Sequence, residues 1–261
     1  MDAAAKNAVR KVLVGIPSRQ PLVTTTTMGS VVTGVYEMGM KNTVLDLFFW
    51  TGDPLISHAR NVVLAHFLLE TDCDDLLFVD DDVSWAPGML TRLLNPPVDL
   101  VAGCYRHKKP EESYPINWIP NDTGMILTNE FGLIEVRDVP MGFCRISRAC
   151  AQQMYDAAAD KPFKHRNAPN LECRVVFDIP YEDGELFGED FDFCRKWRAL
   201  GGKVWVDAEM AVNHTGFMTF DGHLGNWLRA GGPTPKQTDP ASVVRDGLAQ
   251  VAQFLGAREA A

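Results

Sequence analysis

Residues 76–85 read LLFVDDDVSW, four apolar side chains followed by three consecutive aspartates. A short, fully apolar run of this kind predicts a strand buried on both faces. In an open α/β sheet, ligands bind beyond the carboxyl ends of the strands. Asp80, Asp81 and Asp82 are therefore expected at a ligand-facing edge. Side chains alternate along extended backbone, so Asp80 and Asp82 are predicted to point one way and Asp81 the other. Two carboxylates aimed at one spot repel unless a cation joins them. Hard carboxylate oxygens suit Mg²⁺ or Mn²⁺. The alternative is an exposed acidic turn that binds nothing.

The surrounding pattern predicts what carries that edge. KVLVGI (residues 11–16) and TVLDLFFW (43–50) read as strands. A helix is expected over 57–70 with Ser57 as its N-cap, another over 88–94, and a strand over 99–104. Strands alternating with helices predict a parallel sheet with crossover helices. Farther on, 126–136 reads as hairpin-like, 145–155 as a helix, and 161–185 as a long mobile loop rich in Pro, Asn and Asp. A helix over 189–200, stopped by Gly201-Gly202, leads to a strand over 203–207. GGPTP (231–235) reads as a linker before an amphipathic helix at 241–255. The expected organisation is one α/β domain over 1–230, a Rossmann-type open twisted sheet flanked by helices, with 231–261 as an appendage.

Composition narrows the function classes. At 261 residues and a net charge of −9, there is no basic footprint for nucleic acid or an anionic membrane surface. The six cysteines form no CxxC pair, which argues against a cysteine zinc site or a disulfide framework. No stretch approaches a membrane span or a signal peptide, so a soluble, cytoplasmic chain is expected.

Several other positions have chemistry suited to the same edge. Pro17, Ser18 and Arg19 end the first strand, where backbone N–H groups and a guanidinium can meet a phosphate, or simply form a polar turn. Arg60 and Asn61 lie near the start of a helix, where Arg offers bidentate phosphate contact or a surface ion pair. Glu189 and Asp190 open a helix, a position that favours acids through the dipole and ordinarily lowers their pKa. They are either caps or a reactive pair. His214, in AVNHTG, is either structural or a metal ligand. His58, His107, His165 and His223 carry no assignment.

Two enzyme chemistries use D-x-D after an apolar strand. Haloacid-dehalogenase-like phosphatases place a nucleophilic Asp first, and Asp80, Asp82 and Ser84 satisfy that short pattern, but such a motif usually opens the chain. The order GIPSR (15–19), HARN (58–61), LLFVDDDV, GEDFDFCRKW (188–197) and a closing His214 resembles the GT-A-fold, nucleotide-sugar-dependent glycosyltransferases, in particular a large inverting family with D-x-D and E-D motifs. The resemblance covers roughly residues 11–216. It implies transfer of a sugar from a nucleoside diphosphate donor (a UDP- or GDP-sugar) to a hydroxyl of a glycan, lipid or protein. It implies Mn²⁺ or Mg²⁺ held by Asp80, Asp82 and His214, with Asp80 on the metal through water or on the ribose. Asp190 would be the general base and Glu189 would orient the acceptor. Pro17, Ser18, Arg19, Arg60, Asn61, Asp80, Asp81, Asp82, Tyr105, Arg106, Met141 and Gly142 would surround the donor, the last two by letting sugar or acceptor approach the backbone before a helix. A Mg²⁺ phosphatase with Asp80 as nucleophile, or a non-catalytic nucleotide- or carbohydrate-binding module, are the alternatives.

Overall fold

The computed structural model describes residues 9–120 and 124–233. Its first half alternates strand and helix: β1 (Arg10–Ser18), α1 (Thr25–Gly39), β2 (Thr43–Thr51), α2 (Ile56–Glu70) and β3 (Asp75–Val79). A short β4 (Val83–Trp85), α3 (Met89–Leu94) and β5 (Leu100–Gly103) follow, and then β6 (Asn117–Trp118), β7 (Ile134–Asp138) and β8 (Phe143–Ser147). The second half continues with α4 (Arg148–Ala157), β9 (Pro162–His165), β10 (Ala168–Arg174), β11 (Tyr181–Glu182) and β12 (Glu185–Leu186). It ends with α5 (Glu189–Ala199), β13 (Val204–Asp207), β14 (Val212–Thr215), β15 (Thr219–Phe220) and α6 (Leu224–Arg229).

Eight strands form one Rossmann-like sheet in the order β2-β1-β3-β8-β5-β13-β7-β6. β1 runs parallel to β2 and β3, and β13 parallel to β5, as the alternation predicts. The sheet is nevertheless mixed. β8 is antiparallel to both β3 and β5, and β7 to β13. Residues 145–147, expected as the start of the helix over 145–155, instead end a central strand, β8, in which Phe143, Cys144 and Ile146 are fully buried between neighbours. The helix starts only after Ser147, whose side chain accepts from the Cys150 N–H at 3.1 Å.

Alternating side chains of β1 show how the sheet is covered. Val12, Val14 and Ile16 pack with Val31, Met38, Leu90 and Leu93 of α1 and α3. Leu13 packs on the opposite face with Val62, Val63 and Phe67 of α2. Gly15 faces α2 as well, and any Cβ there would collide with Val63, so the glycine sets how closely α2 lies on the strand. Helix α1 has no counterpart among the sequence expectations. Its Thr- and Gly-rich sequence has low intrinsic propensity, and it is held by tertiary burial of Thr27, Val31, Gly34 and Met38 and by the Thr24 cap.

The expected loop over 161–185 is largely structured. β9 and β10 form an antiparallel hairpin that alternates exposed residues with buried Leu171 and Cys173, and α2 packs on it. Its polar composition reflects one solvated face, not lack of structure. In the 126–136 stretch, Thr128 does bridge Ile134 across a turn. α2 begins at Ile56 rather than at Ser57, with Leu55 at the cap and the Leu55 N–H donating to Asp53 Oδ1 at 3.1 Å. All six cysteines are buried free thiols. No helix among the described residues is long and apolar enough to cross a membrane. The helix expected at 241–255 lies outside the described residues.

Candidate functional site

Strand β3 stops at Val79, and the three aspartates occupy the turn into β4, closed by the Val83 N–H donating to the Asp80 carbonyl at 3.1 Å. The turn, not strand alternation, separates their side chains, but the separation is the one expected. Asp81 turns to the end of β1 and accepts from the Ser18 hydroxyl. Burial pushes its carboxyl up, against that hydrogen bond, and its acidic neighbours add to the rise. Asp80 and Asp82 turn to the other side, each against a cation.

Asp80 accepts from Arg60 Nη2 at 3.0 Å on one oxygen and from the Tyr105 hydroxyl at 3.2 Å on the other. Tyr105 in turn accepts from the Gly142 N–H at 3.2 Å, and the Asp80 N–H donates to the Gly142 carbonyl at 2.9 Å. Gly142 therefore binds the turn itself. A Cβ at this position would overlap the Asp80 carboxylate and the Tyr105 hydroxyl, so the glycine makes room for Asp80. It precedes strand β8, not a helix, and its neighbour Met141 is wholly within the core.

Arg60 is the hub. Its side chain is 3% exposed, and its Nε lies 3.6 Å from Glu189 Oε1 at the start of α5. Burial works against its charge, but Asp80, Glu189 and Asp190 outweigh that and raise its pKa. Its Nε and Nη1 have no hydrogen-bond partner among the described residues. A locked guanidinium with two unspent donors costs free energy unless something polar meets it.

Asp190 differs from the sequence expectation in one respect. Its place at a helix start should lower its pKa, yet burial pushes it up to about 6, against the pull of Arg60 and with the push of Glu189. Desolvation outweighs the helix dipole here. A carboxylate with a pKa near 6 is a competent proton acceptor at neutral pH.

The Asp82 corner carries a second electrostatic feature. Asp82 Oδ1 lies 3.4 Å from His214 Nε2, and Oδ2 pairs with Lys108. Burial would raise the Asp82 carboxyl, but His214 and Lys108 together hold it below its ordinary value. His214 Nδ1 lies 3.0 Å from the Arg106 carbonyl. A carbonyl only accepts, so the ring must carry its proton on Nδ1. In the neutral ring, the Nε2 lone pair then faces a carboxylate lone pair. That arrangement is favourable only with a second ring proton or a metal cation between the two atoms. The ring N–H fixed by a backbone carbonyl is the usual arrangement behind a metal-bound imidazole. Tyr105 joins the two corners, bonding Asp80 and packing edge-on to His214 at 4.6 Å between ring centres.

Other expected residues are spent on structure. Asn61 is buried and uses both ends of its amide on Val176 and Phe177, accepting from both N–H groups and donating to the Phe177 carbonyl. Arg106 donates to the Lys109 and Pro110 carbonyls and so folds its own loop. Pro17 is buried at the end of β1, whereas Arg19 is exposed, with no side-chain partner among the described residues.

The sequence reading missed a second cluster. Asp53, His58 and His165 bring one carboxylate oxygen and two ring nitrogens within 4.8 Å of one another, and this set can hold a metal ion. Asp53 sits in a Gly-Asp-Pro turn and His165 in the stretch expected to be a loop, 112 residues away. Nothing in the local pattern of either segment pairs them.

No protein-family model matches the chain, and no curated protein does. Among solved structures, A197 from STIV aligns over 78% of this chain and 85% of its own, at 17% identity and a TM-score of 0.50. A protein assigned as a glucose-1-phosphate thymidylyltransferase from Bacillus anthracis, solved in complex with a sucrose, aligns over 79% and 89%, at 9% identity and a TM-score of 0.39. The first of these likenesses extends to the fold alone, an α/β sheet flanked by helices.

Proposed function

We propose that residues 1–230 form a GT-A-like domain that transfers a sugar from a nucleoside diphosphate donor to a hydroxyl acceptor, with inversion at the anomeric carbon. One observation carries the reading: buried Arg60 ties Asp80 of the D-x-D turn to the start of α5, where Asp190 is a desolvated base. That contact gathers a cation-seeking corner, unspent guanidinium donors and a proton acceptor into one cluster. Arg60, whose Nε and Nη1 are shielded from solvent, would act from behind the donor, its charge holding Asp80 and Glu189 in place. Asp190 would take the proton of the attacking hydroxyl, and Glu189, held near Arg60, would orient the acceptor.

With the His214 ring neutral, Asp82 and His214 set two lone pairs against each other, which suits a divalent ion, Mn²⁺ or Mg²⁺, with Asp80 in its outer shell. Bound there, the ion would stabilise the leaving diphosphate as a Lewis acid. Lys108 occupies the remaining Asp82 oxygen and would have to yield or turn to a phosphate. The phosphatase reading is weaker, since both oxygens of Asp80 are held by Arg60 and Tyr105, which suits a positioned carboxylate better than a nucleophile. A panel of UDP- and GDP-sugars incubated with Mn²⁺ should release nucleoside diphosphate with at least one member. Turnover of an aryl phosphate that vanishes in Asp80→Asn, with no release from any sugar nucleotide, would replace this reading with the phosphatase.

A further inference from the structure

Away from the aspartate turn, the loop after β2 and the hairpin β9–β10 face each other across Asp53. This carboxylate is buried, 3% exposed, and its Oδ2 lies 3.0 Å from His165 Nε2 and 3.6 Å from His58 Nδ1. The first distance is a hydrogen bond and the second is too long for one. His58 is nevertheless aimed at the carboxylate and fixed there by stacking on Phe163, with ring centres 5.1 Å apart and 9° between planes. Around a tetrahedral ion with bonds of about 2.0–2.1 Å, neighbouring ligand atoms lie about 3.3 Å apart. The two observed distances bracket that value. The cluster opens on a cavity of about 400 Å³ that His58 also lines, so a fourth ligand position faces accessible space.

We infer that Asp53, His58 and His165 form a second metal site, for a borderline transition-metal ion of the Zn²⁺ class, which staples the hairpin β9–β10 to the start of α2. Two imidazoles and one carboxylate suit Zn²⁺ and its neighbours, whereas Mg²⁺ and Mn²⁺ prefer oxygen. The proton count sets what binding costs. The Asn167 N–H donates to His165 Nδ1 at 3.1 Å, so the ring proton sits on Nε2 and points at Asp53. An ion at Nε2 displaces that proton, the neutral ring then carries its proton on Nδ1, and the Asn167 bond is lost. Asn167 is exposed in the hairpin turn, where water replaces the bond, and a net hydrogen bond is worth only about 1 kcal/mol. The consequence reaches the first site, because α2 carries Arg60 four residues after its first residue, Ile56.

The test uses the whole chain, freed of metal, with ZnCl₂ or MgCl₂ alone as probe. Asp82→Ala removes the other candidate corner. In that background, calorimetric titration should find one Zn²⁺ per chain and a raised melting temperature, with no response to MgCl₂. Adding His58→Asn should weaken Zn²⁺ by more than the roughly 10–100-fold that loss of an outer-shell partner costs. His58 is half-exposed, so this variant should melt as its parent does in chelator. Co²⁺ bound to Asp82→Ala should show the intense visible bands of a tetrahedral ion, a readout that needs no second substitution. Zn²⁺ affinity unchanged by His58→Asn, a Mg²⁺ response equal to that of Zn²⁺, or an octahedral Co²⁺ spectrum would each overturn the inference.

Discussion

Two corners of the molecule set imidazole nitrogen against carboxylate oxygen, and they differ in where the imidazole keeps its proton. At His214 the Arg106 carbonyl draws one proton to Nδ1, so in the neutral ring the Nε2 lone pair faces Asp82. At His165 the Asn167 N–H fills Nδ1 and leaves a proton on Nε2 facing Asp53. The second corner is closer and more convergent, yet it is complete as a hydrogen bond. The first is longer and unfinished. Distance alone would favour the wrong corner for a hard cation, and the backbone group behind each ring decides whether an ion must first displace a ring proton.

The same contrast separates the two corners in chemistry, and the largest expected effect lies beside the first. Asp190→Asn keeps shape and the helix-start hydrogen bonding but cannot accept a proton. Sugar transfer should fall by the roughly 10²–10⁴-fold typical of general-base loss, while metal-dependent donor binding survives. Loss of donor binding together with transfer would make Asp190 an organiser of the donor site instead.

Stability should move the opposite way in the same variant. Folding raises the Asp190 carboxyl from 3.8 to about 6. Its contribution is therefore fully present below pH 4 and lost as pH rises through 6, since the folded state holds the proton more tightly. A rise of that size corresponds to about 3 kcal/mol at most. Melting curves of wild type and Asp190→Asn should diverge between pH 4 and 7, with the Asn form the more stable at neutral pH. Transfer by the wild type should rise over the same interval as the base ionises. A flat pH profile for both would remove Asp190 from the role of a desolvated base.

Smaller effects sharpen the contrast between the two rings. His214→Ala should weaken the apparent affinity for Mn²⁺ with a nucleoside diphosphate by at least the 10–100-fold seen when a metal's supporting shell is lost. Smaller still, Lys108→Ala frees one Asp82 oxygen. Because that ion pair is partly solvated, Mn²⁺ affinity should improve by no more than about fivefold, or about 1 kcal/mol. A loss of affinity in Lys108→Ala would instead make Lys108 a donor ligand.

Much of the first corner was legible in the sequence because its pieces are local. An apolar strand stopped by VDDDV, a helix bearing HARN, and Gly188-Glu189-Asp190 each announce their position by pattern. What was not legible is what the side chains do with their neighbours. Asn61 looks like a ligand residue until Val176 and Phe177 are seen to use all of its amide. Gly142 looks like an approach for substrate until Asp80 and Tyr105 fill the space. The Asp190 pKa ran opposite to expectation because burial is a tertiary property. Strand β8 was hidden by adjoining a helix, and α1 by poor propensity compensated through packing. The second corner was invisible, since it depends on a 112-residue closure between Asp53 and His165.

Under the proposed function, the Asp82–His214 corner receives the cation that holds a nucleoside diphosphate at the aspartate turn. The most direct test is the melting temperature of Asp82→Ala with Mn²⁺ and UDP or GDP, alone and together. Asp82 sits in a turn at the sheet edge, so the fold should persist. The wild type should gain a shift requiring both metal and nucleotide, as expected when a ligand binds only the folded state, and Asp82→Ala should lose it. A shift in Asp82→Ala that still needs Mn²⁺ and nucleotide together, and equals that of the wild type, would rule out this corner as the cation site.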